Sequence, residues 1–371
     1  MAVLALLPIF YSAAGTPRRQ QLDFPSCEPN SMLPCPARRW PMPVFLIALL
    51  VRPTVMQGAP PAAPAAAAAA AAKPAAKDAV AEVHLEASDG TPIAAWHYAA
   101  PAEAPAAGIV ILLHDLGGSH GTVEPLARAL HAAGCVVVAP DLRGHGASKL
   151  AALPSSQDDQ SKLLRKADFE MMAASRGGPV RDQSAIRGDV ECLRNWIVRE
   201  IKEQRMPKAP LFVVGSGLGA AVAVHWAAAD AAWPDLASGP QGREVAGIVM
   251  ISPAFATKGF ALTPALGSEA VRRTIPVLVL AGADDRDAIK VFEQMKRLRP
   301  KEWYDGRRPP GSEKDASPAA AAKASLLLLA HPSDRSGDAL AASKSSDKGG
   351  RAADPATVIP GFIKLVASRE G

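Results

Sequence analysis

Hydroxyl, carboxylate and imidazole groups lie along this chain where they could serve nucleophilic catalysis. Ser216 sits inside Gly215-Ser216-Gly217-Leu218-Gly219, between an apolar run and an Ala-rich stretch. Asp285 follows the apolar run 275–280 and the turn Ala281-Gly282-Ala283-Asp284. His331 directly follows the apolar run 325–330. A hydroxyl that passes its proton to an imidazole steadied by a carboxylate can attack an acyl carbon. Other chemistries find less in the sequence. Cys27, Cys35, Cys135 and Cys192 lack metal-ligand spacing and imply no disulfide framework. The glycines of 215–219 lack the Lys-Ser/Thr of a phosphate-binding loop and the full G-x-G-x-x-G spacing. Neither a metal nor a cofactor is expected. Among the histidines, His84, His97 and His225 read as satisfied or exposed side chains. His114, His145 and the Asp141–Arg143 pair read as structural groups.

The elements that would position these residues begin at residue 79. Segments 81–87 and 91–98, joined by Ser88-Asp89-Gly90, predict an antiparallel hairpin. Continuous apolar runs follow at 108–113, 135–139, 211–214, 246–251, 275–280 and 325–330. Such runs belong inside a parallel sheet covered on both faces. Helical periodicity lies between them, as in Val190, Leu193, Ile197 and Ile201, and again in Val291, Met295 and Leu298. Asp354-Pro355 opens a C-terminal helix. This alternation predicts a doubly wound α/β domain over 79–371. Residues 150–180 suit a small lid, and 301–324 and 341–353 read as loops.

Three strand ends carry a family resemblance. His114-Asp115-Leu116-Gly117-Gly118 is similar to an HGxGG oxyanion loop, and Asp141-Leu142-Arg143-Gly144-His145-Gly146-Ala147-Ser148 resembles a D-x-R-G-x-G-x-S turn. Gly215–Gly219 stands in the strand–elbow–helix context of a nucleophile motif. Over about 80–370 the chain resembles the α/β-hydrolase superfamily, especially its esterase, monoacylglycerol-lipase and serine-aminopeptidase branch. The resemblance implies a mostly parallel sheet of about eight strands, helices on both faces, and a Ser-Asp-His site at the carboxyl edge. It also implies an oxyanion hole made by the backbone N–H groups of Leu116 and Leu218.

The register of the elbow departs from that pattern. Small residues are needed two positions before and two after the nucleophile, and only Gly215 and Gly219 flanking Gly217 meet this. Ser216 at that position would put Val214 and Leu218 in the crowded places. Glycine there relaxes a strained backbone and removes the attacking hydroxyl. Asp285 stands at the acid position, three residues after Gly282. The histidine is expected just before a glycine, yet Ser336 precedes Gly337, while His331 abuts its strand and is followed by Pro332. The leading expectation is a non-catalytic member that binds a small acyl or carboxylate ligand at Leu116 and Leu218, or a partner. The alternative is an active ester or amide hydrolase using Ser216, Asp285 and His331. A third is an interaction domain carried on a linker.

Of 41 basic and 36 acidic residues, five arginines but only Asp23 and Glu28 precede residue 60, so the rest of the chain is close to neutral. That argues against a nucleic-acid partner. Within 1–59, the run 43–51 follows Arg38, Arg39 and Trp40 and leads to small residues ending at Ala59. This describes a secretory signal starting at Met1 or Met32, or else an uncleaved anchor. It is far below the ~20 residues of a membrane-spanning helix. Residues 60–78 are an Ala/Pro-rich linker. The expected destination is periplasmic, secreted or envelope-associated, with no membrane span in the mature domain.

Overall fold

Strands that are apolar on both faces must be covered on both faces, and one nine-stranded sheet meets that demand here. The structure, a computed structural model, describes residues 80–100, 105–154, 160–175, 188–235, 237, 239, 241–307, 321, 323–343 and 354–370, all within the unit Ala70–Gly371. The expected leader and linker at 1–78, parts of the lid region, and most of the expected loops 301–324 and 341–353 lie outside these residues.

The hairpin strands are β1 (Val80–Glu86) and β2 (Pro92–Tyr98). The sheet continues with β3 (Ile109–Leu113), β4 (Val136–Pro140), β5 (Leu211–Ser216) and β6 (Val245–Ile251). A small hairpin, β7 (Ala256–Thr257) and β8 (Phe260–Ala261), stands apart from it. The remaining sheet strands are β9 (Val277–Ala281), β10 (Trp303–Asp305) and β11 (Leu326–Ala330). Their order is β1-β2-β4-β3-β5-β6-β9-β11-β10. Pairing is antiparallel at β1/β2 and β2/β4 and parallel elsewhere in the sheet.

The period of two in a strand divides the core into two layers. Strand β3 sends Ile109, Ile111 and Leu113 to one face and Val110 and Leu112 to the other. On the first face lie α2 (Lys166–Met172), α3 (Asp189–Lys202), α4 (Leu218–Ala231) and α6 (Arg286–Leu298). On the second lie α1 (His120–Ala132), α7 (Gly337–Ala341) and α8 (Pro355–Glu370). The short α5 (Thr263–Leu266) follows the small hairpin. No helix among the described residues is long and apolar enough to cross a membrane.

The ninth sheet strand is β10, inside a stretch the sequence reads as loop. Three residues are too few to show alternation. Its place is set by pairing with Leu326–Leu328 and by Lys296, whose ammonium lies 3.8 Å from the Trp303 ring centroid. In the lid region, Leu164, Phe169 and Met172 are buried, so α2 belongs to the core layer.

The D-x-R-G-x-G-x-S turn is a structural knot. Asp141 accepts from the N–H groups of His120 (2.6 Å) and Ala147 (2.7 Å), and the Ser148 hydroxyl donates to its carbonyl (2.6 Å). Arg143 forks onto the fully buried Asp189 (2.6 and 2.9 Å) and reaches Asp89 (2.7 Å). This ties β4 to α3 and to the β1–β2 turn.

Candidate active site

The sharp turn after β5 places Gly217 at φ +49°, ψ −112°, and α4 begins at the next residue. Its neighbours explain the glycines. A β-carbon on Gly215 would lie 2.3 Å from the Gly219 carbonyl, and one on Gly219 would lie 2.6 Å from the carbonyl oxygens of Leu113 and His114. The backbone therefore has the shape of a nucleophile elbow with Gly217 at its apex.

A carboxylate fills the apex instead of a hydroxyl. Asp115, on the loop after β3, accepts hydrogen bonds at Oδ1 from Leu116 N–H (2.7 Å) and Leu218 N–H (2.8 Å). A β-carbon on Gly217 would lie 1.9 Å from that same Oδ1, and one on Gly337 (φ +53°) would lie 2.3 Å from Oδ2. Two donors suited to a developing oxyanion are thus engaged by the protein's own side chain. Any outside acyl or carboxylate group must displace Asp115 to reach Leu116 and Leu218. Burial raises the Asp115 pKa, opposed by the Leu218 and Leu116 N–H groups and reinforced by the charge of Asp338.

Asp338, in the first turn of α7, holds this loop. Its Oδ1 accepts from Asp115 N–H (2.8 Å) and from the Ser216 hydroxyl, and its Oδ2 accepts from the Thr122 hydroxyl (2.5 Å). His114 braces the loop from below. Leu142 N–H donates to its Nε2 (3.0 Å), which leaves Nδ1 to donate to the Asp115 carbonyl (2.7 Å).

The other candidate residues stand at neighbouring strand ends, but each is engaged elsewhere. Ser216 is buried in β5 with its hydroxyl committed to Asp338. Asp285 caps α6, accepting from Ala288 N–H (3.0 Å). His331 accepts at Nδ1 from Ser333 N–H (3.1 Å), with the Ser333 hydroxyl 2.8 Å from the same nitrogen, and its Nε2 faces the Ser343 hydroxyl at 3.3 Å. The basic nitrogen is occupied, and burial lowers its pKa. Ser336, at the position before the glycine, is the N-cap residue of α7. Among the described residues no hydrogen bond joins His331 to Asp285 or to Ser216. The structure brings Gly217, Leu116 and Leu218 together around Asp115, and it does not join Ser216, Asp285 and His331 into a relay.

Sequence reasoning missed Asp115 and Asp338. A signal for the first was present: position 115 is aspartate where the HGxGG pattern has its first glycine. The chain has a carboxylate at 115 and no side chain at 217. Asp338, 122 residues after Ser216, had no local signal. Among the described residues no group of three or more His, Cys, Asp or Glu side chains could hold a metal ion.

Comparison with known proteins adds the family. A model of the family described as serine aminopeptidase, S33, matches residues 104–289, half of the chain. No curated protein matches the sequence. Among solved structures, a soluble variant of monoglyceride lipase from Saccharomyces cerevisiae is 12% identical, with 79% of this chain and 97% of that chain covered and a TM-score of 0.46. An esterase of Pyrococcus furiosus is 15% identical over 68% of this chain and 82% of that chain, at 0.43. A dienelactone hydrolase from Anabaena variabilis is 13% identical over 79% of this chain and 98% of that chain, at 0.45.

Proposed function

The chain belongs to the serine aminopeptidase S33 family of α/β hydrolases, and we propose that it is a non-hydrolytic member that works by binding. One observation carries this reading: the Asp115 carboxylate lies in the oxyanion site and in the volume that a side chain on Gly217 would need. Acyl transfer needs a nucleophile and an open pair of donors for the charge that develops on the acyl oxygen. Gly217 supplies no nucleophile, and both donors are taken. The bonding of His331 to the two serines supports the same conclusion, since a base with its lone pair engaged cannot activate Ser216. The ligand class is a small acyl or carboxylate compound that takes the place of Asp115 at the elbow, or a partner protein on the surrounding edge.

The same reading includes export. Its support is the basic–apolar–small pattern at 38–59 and the Ala/Pro-rich stretch after it. Edman sequencing of protein from the native host should find the residues before about 60 removed; Met1 on a cytoplasmic protein would contradict it.

Hydrolysis of 4-nitrophenyl acetate and butyrate by wild type and Ser216→Ala tests the central reading. Both proteins should show the same slow rate without a burst. A burst in wild type that vanishes in the alanine variant would make Ser216 a nucleophile and overturn it.

A further inference from the structure

The Asp115 side chain that fills the elbow is held unevenly. Oδ1 of Asp115 has two N–H donors, from Leu116 and Leu218. Oδ2 faces Gly337 and receives no hydrogen bond from the described residues. The backbone of the same residue is anchored separately: its N–H binds Asp338, and its carbonyl accepts from His114. The side chain can therefore rotate out while the loop stays in place. It would leave two convergent donors, Leu218 N–H at the N-terminus of α4 and Leu116 N–H on the loop after β3, with glycines of positive φ at 217 and 337 on either side. Those glycines give room for a planar group of about the size of the carboxylate now there. A tethered carboxylate competes at high effective concentration, so a free one displaces it only well above the concentration that would fill the empty site.

We propose that the Asp115 side chain is a displaceable internal ligand that keeps the elbow closed to small monocarboxylates. This rests on the non-hydrolytic reading above and adds how the same site is regulated: a ligand enters by exchanging with Asp115, one carboxylate for another, on the N–H groups of Leu116 and Leu218. Because the exchange breaks and makes the same kind of hydrogen bond, no covalent step is involved. The Asp338 clamp, which also holds Thr122 and Ser216, keeps the two donors oriented in both states.

The experiment uses the full chain as wild type, Asp115→Asn and Asp115→Gly, with formate and acetate as probes in calorimetric titrations. Asp115→Gly should bind formate saturably in the millimolar range, at least tenfold more tightly than wild type. Asp115→Asn should fall between the two, because its amide oxygen takes the same two N–H groups and fills the same space but lacks the carboxylate's charge. Equal affinity in all three proteins, including no binding in any, would overturn the proposal. Should Asp115→Gly fail to fold by circular dichroism, Asp115→Ser replaces it. Failure of both would also overturn the proposal, because a plug that the fold cannot lose cannot yield to a ligand. Covalent labelling of wild type by a serine-directed probe would sink the non-hydrolytic reading and leave the titration result standing, so the two failures are distinguishable.

Discussion

Asp115 and Gly217 share one space: the carboxylate oxygen of the first lies 1.9 Å from where a β-carbon on the second would be. The two residues are 102 positions apart in sequence and meet because β3 and β5 are neighbours whose carboxyl ends open on the same edge. Glycine at 217 and a carboxylate at 115 are therefore complementary parts of one packing arrangement. The tight turn is preserved by Gly215 and Gly219, and the vacated volume is filled by a group that satisfies both backbone donors.

A first prediction follows from that shared space. Gly217→Ser places a side chain at φ +49° against the Asp115 carboxylate. Backbone strain and overpacking together should cost about 2–4 kcal/mol of stability in urea unfolding. Asp115→Gly in the same chain should recover part of the loss, with a coupling of about 1–3 kcal/mol in the double-mutant cycle. Additive effects would show that the two side chains do not compete for the space.

A second concerns the buried ion pair. Asp189 is fully buried and meets Arg143 through three hydrogen bonds to its side chain, the shortest 2.6 Å. Removing one partner strands the other charge away from water. Arg143→Ala should cost about 3–5 kcal/mol, whereas Asp89→Asn, at a partly exposed carboxylate, should cost well under 2 kcal/mol. Urea midpoints of the two variants give the comparison; equal, small losses would contradict it.

How much of this was legible beforehand depended on the range of each interaction. Buried strands such as Ile109–Leu113 and Val277–Ala281 announce themselves by continuous apolar runs, and the parallel sheet follows from their spacing with helices. The glycine spacing at 215, 217 and 219 was readable because crowding in a tight turn is a local matter. Strand β10 was not, since three residues carry no period and its placement comes from Leu326–Leu328 and Lys296. Nor was the Asp115 plug, because its partners are Leu218 and Asp338, and a sequence shows an acid in a loop without showing what the acid reaches. His331 and Asp285 were visible as residue types, but their bonds to Ser333, Ser343 and Ala288 are decided by loop paths after β11 and β9.

A third prediction concerns pH. Burial raises the Asp230 pKa from 3.8 to about 6; Arg194 and the backbone N–H of Arg243 pull in the opposite direction. Its Oδ2 accepts from Glu244 N–H (2.9 Å) while Oδ1 has no partner. A folded pKa above the unfolded one means that the stabilising contribution is fully present below about pH 4. It is lost as pH rises through about 6. Between pH 4 and 7 wild type should lose up to about 3 kcal/mol relative to Asp230→Asn, read from urea midpoints of both proteins. Parallel pH profiles would show that Asp230 is not the titrating group.

Whether the elbow holds a nucleophile is decided by intact-mass spectrometry of the full chain after prolonged exposure to a fluorophosphonate. An unchanged mass is expected for wild type and for Ser216→Ala alike. A stoichiometric phosphonyl adduct on wild type, mapped to Ser216 and absent from the alanine variant, would contradict it.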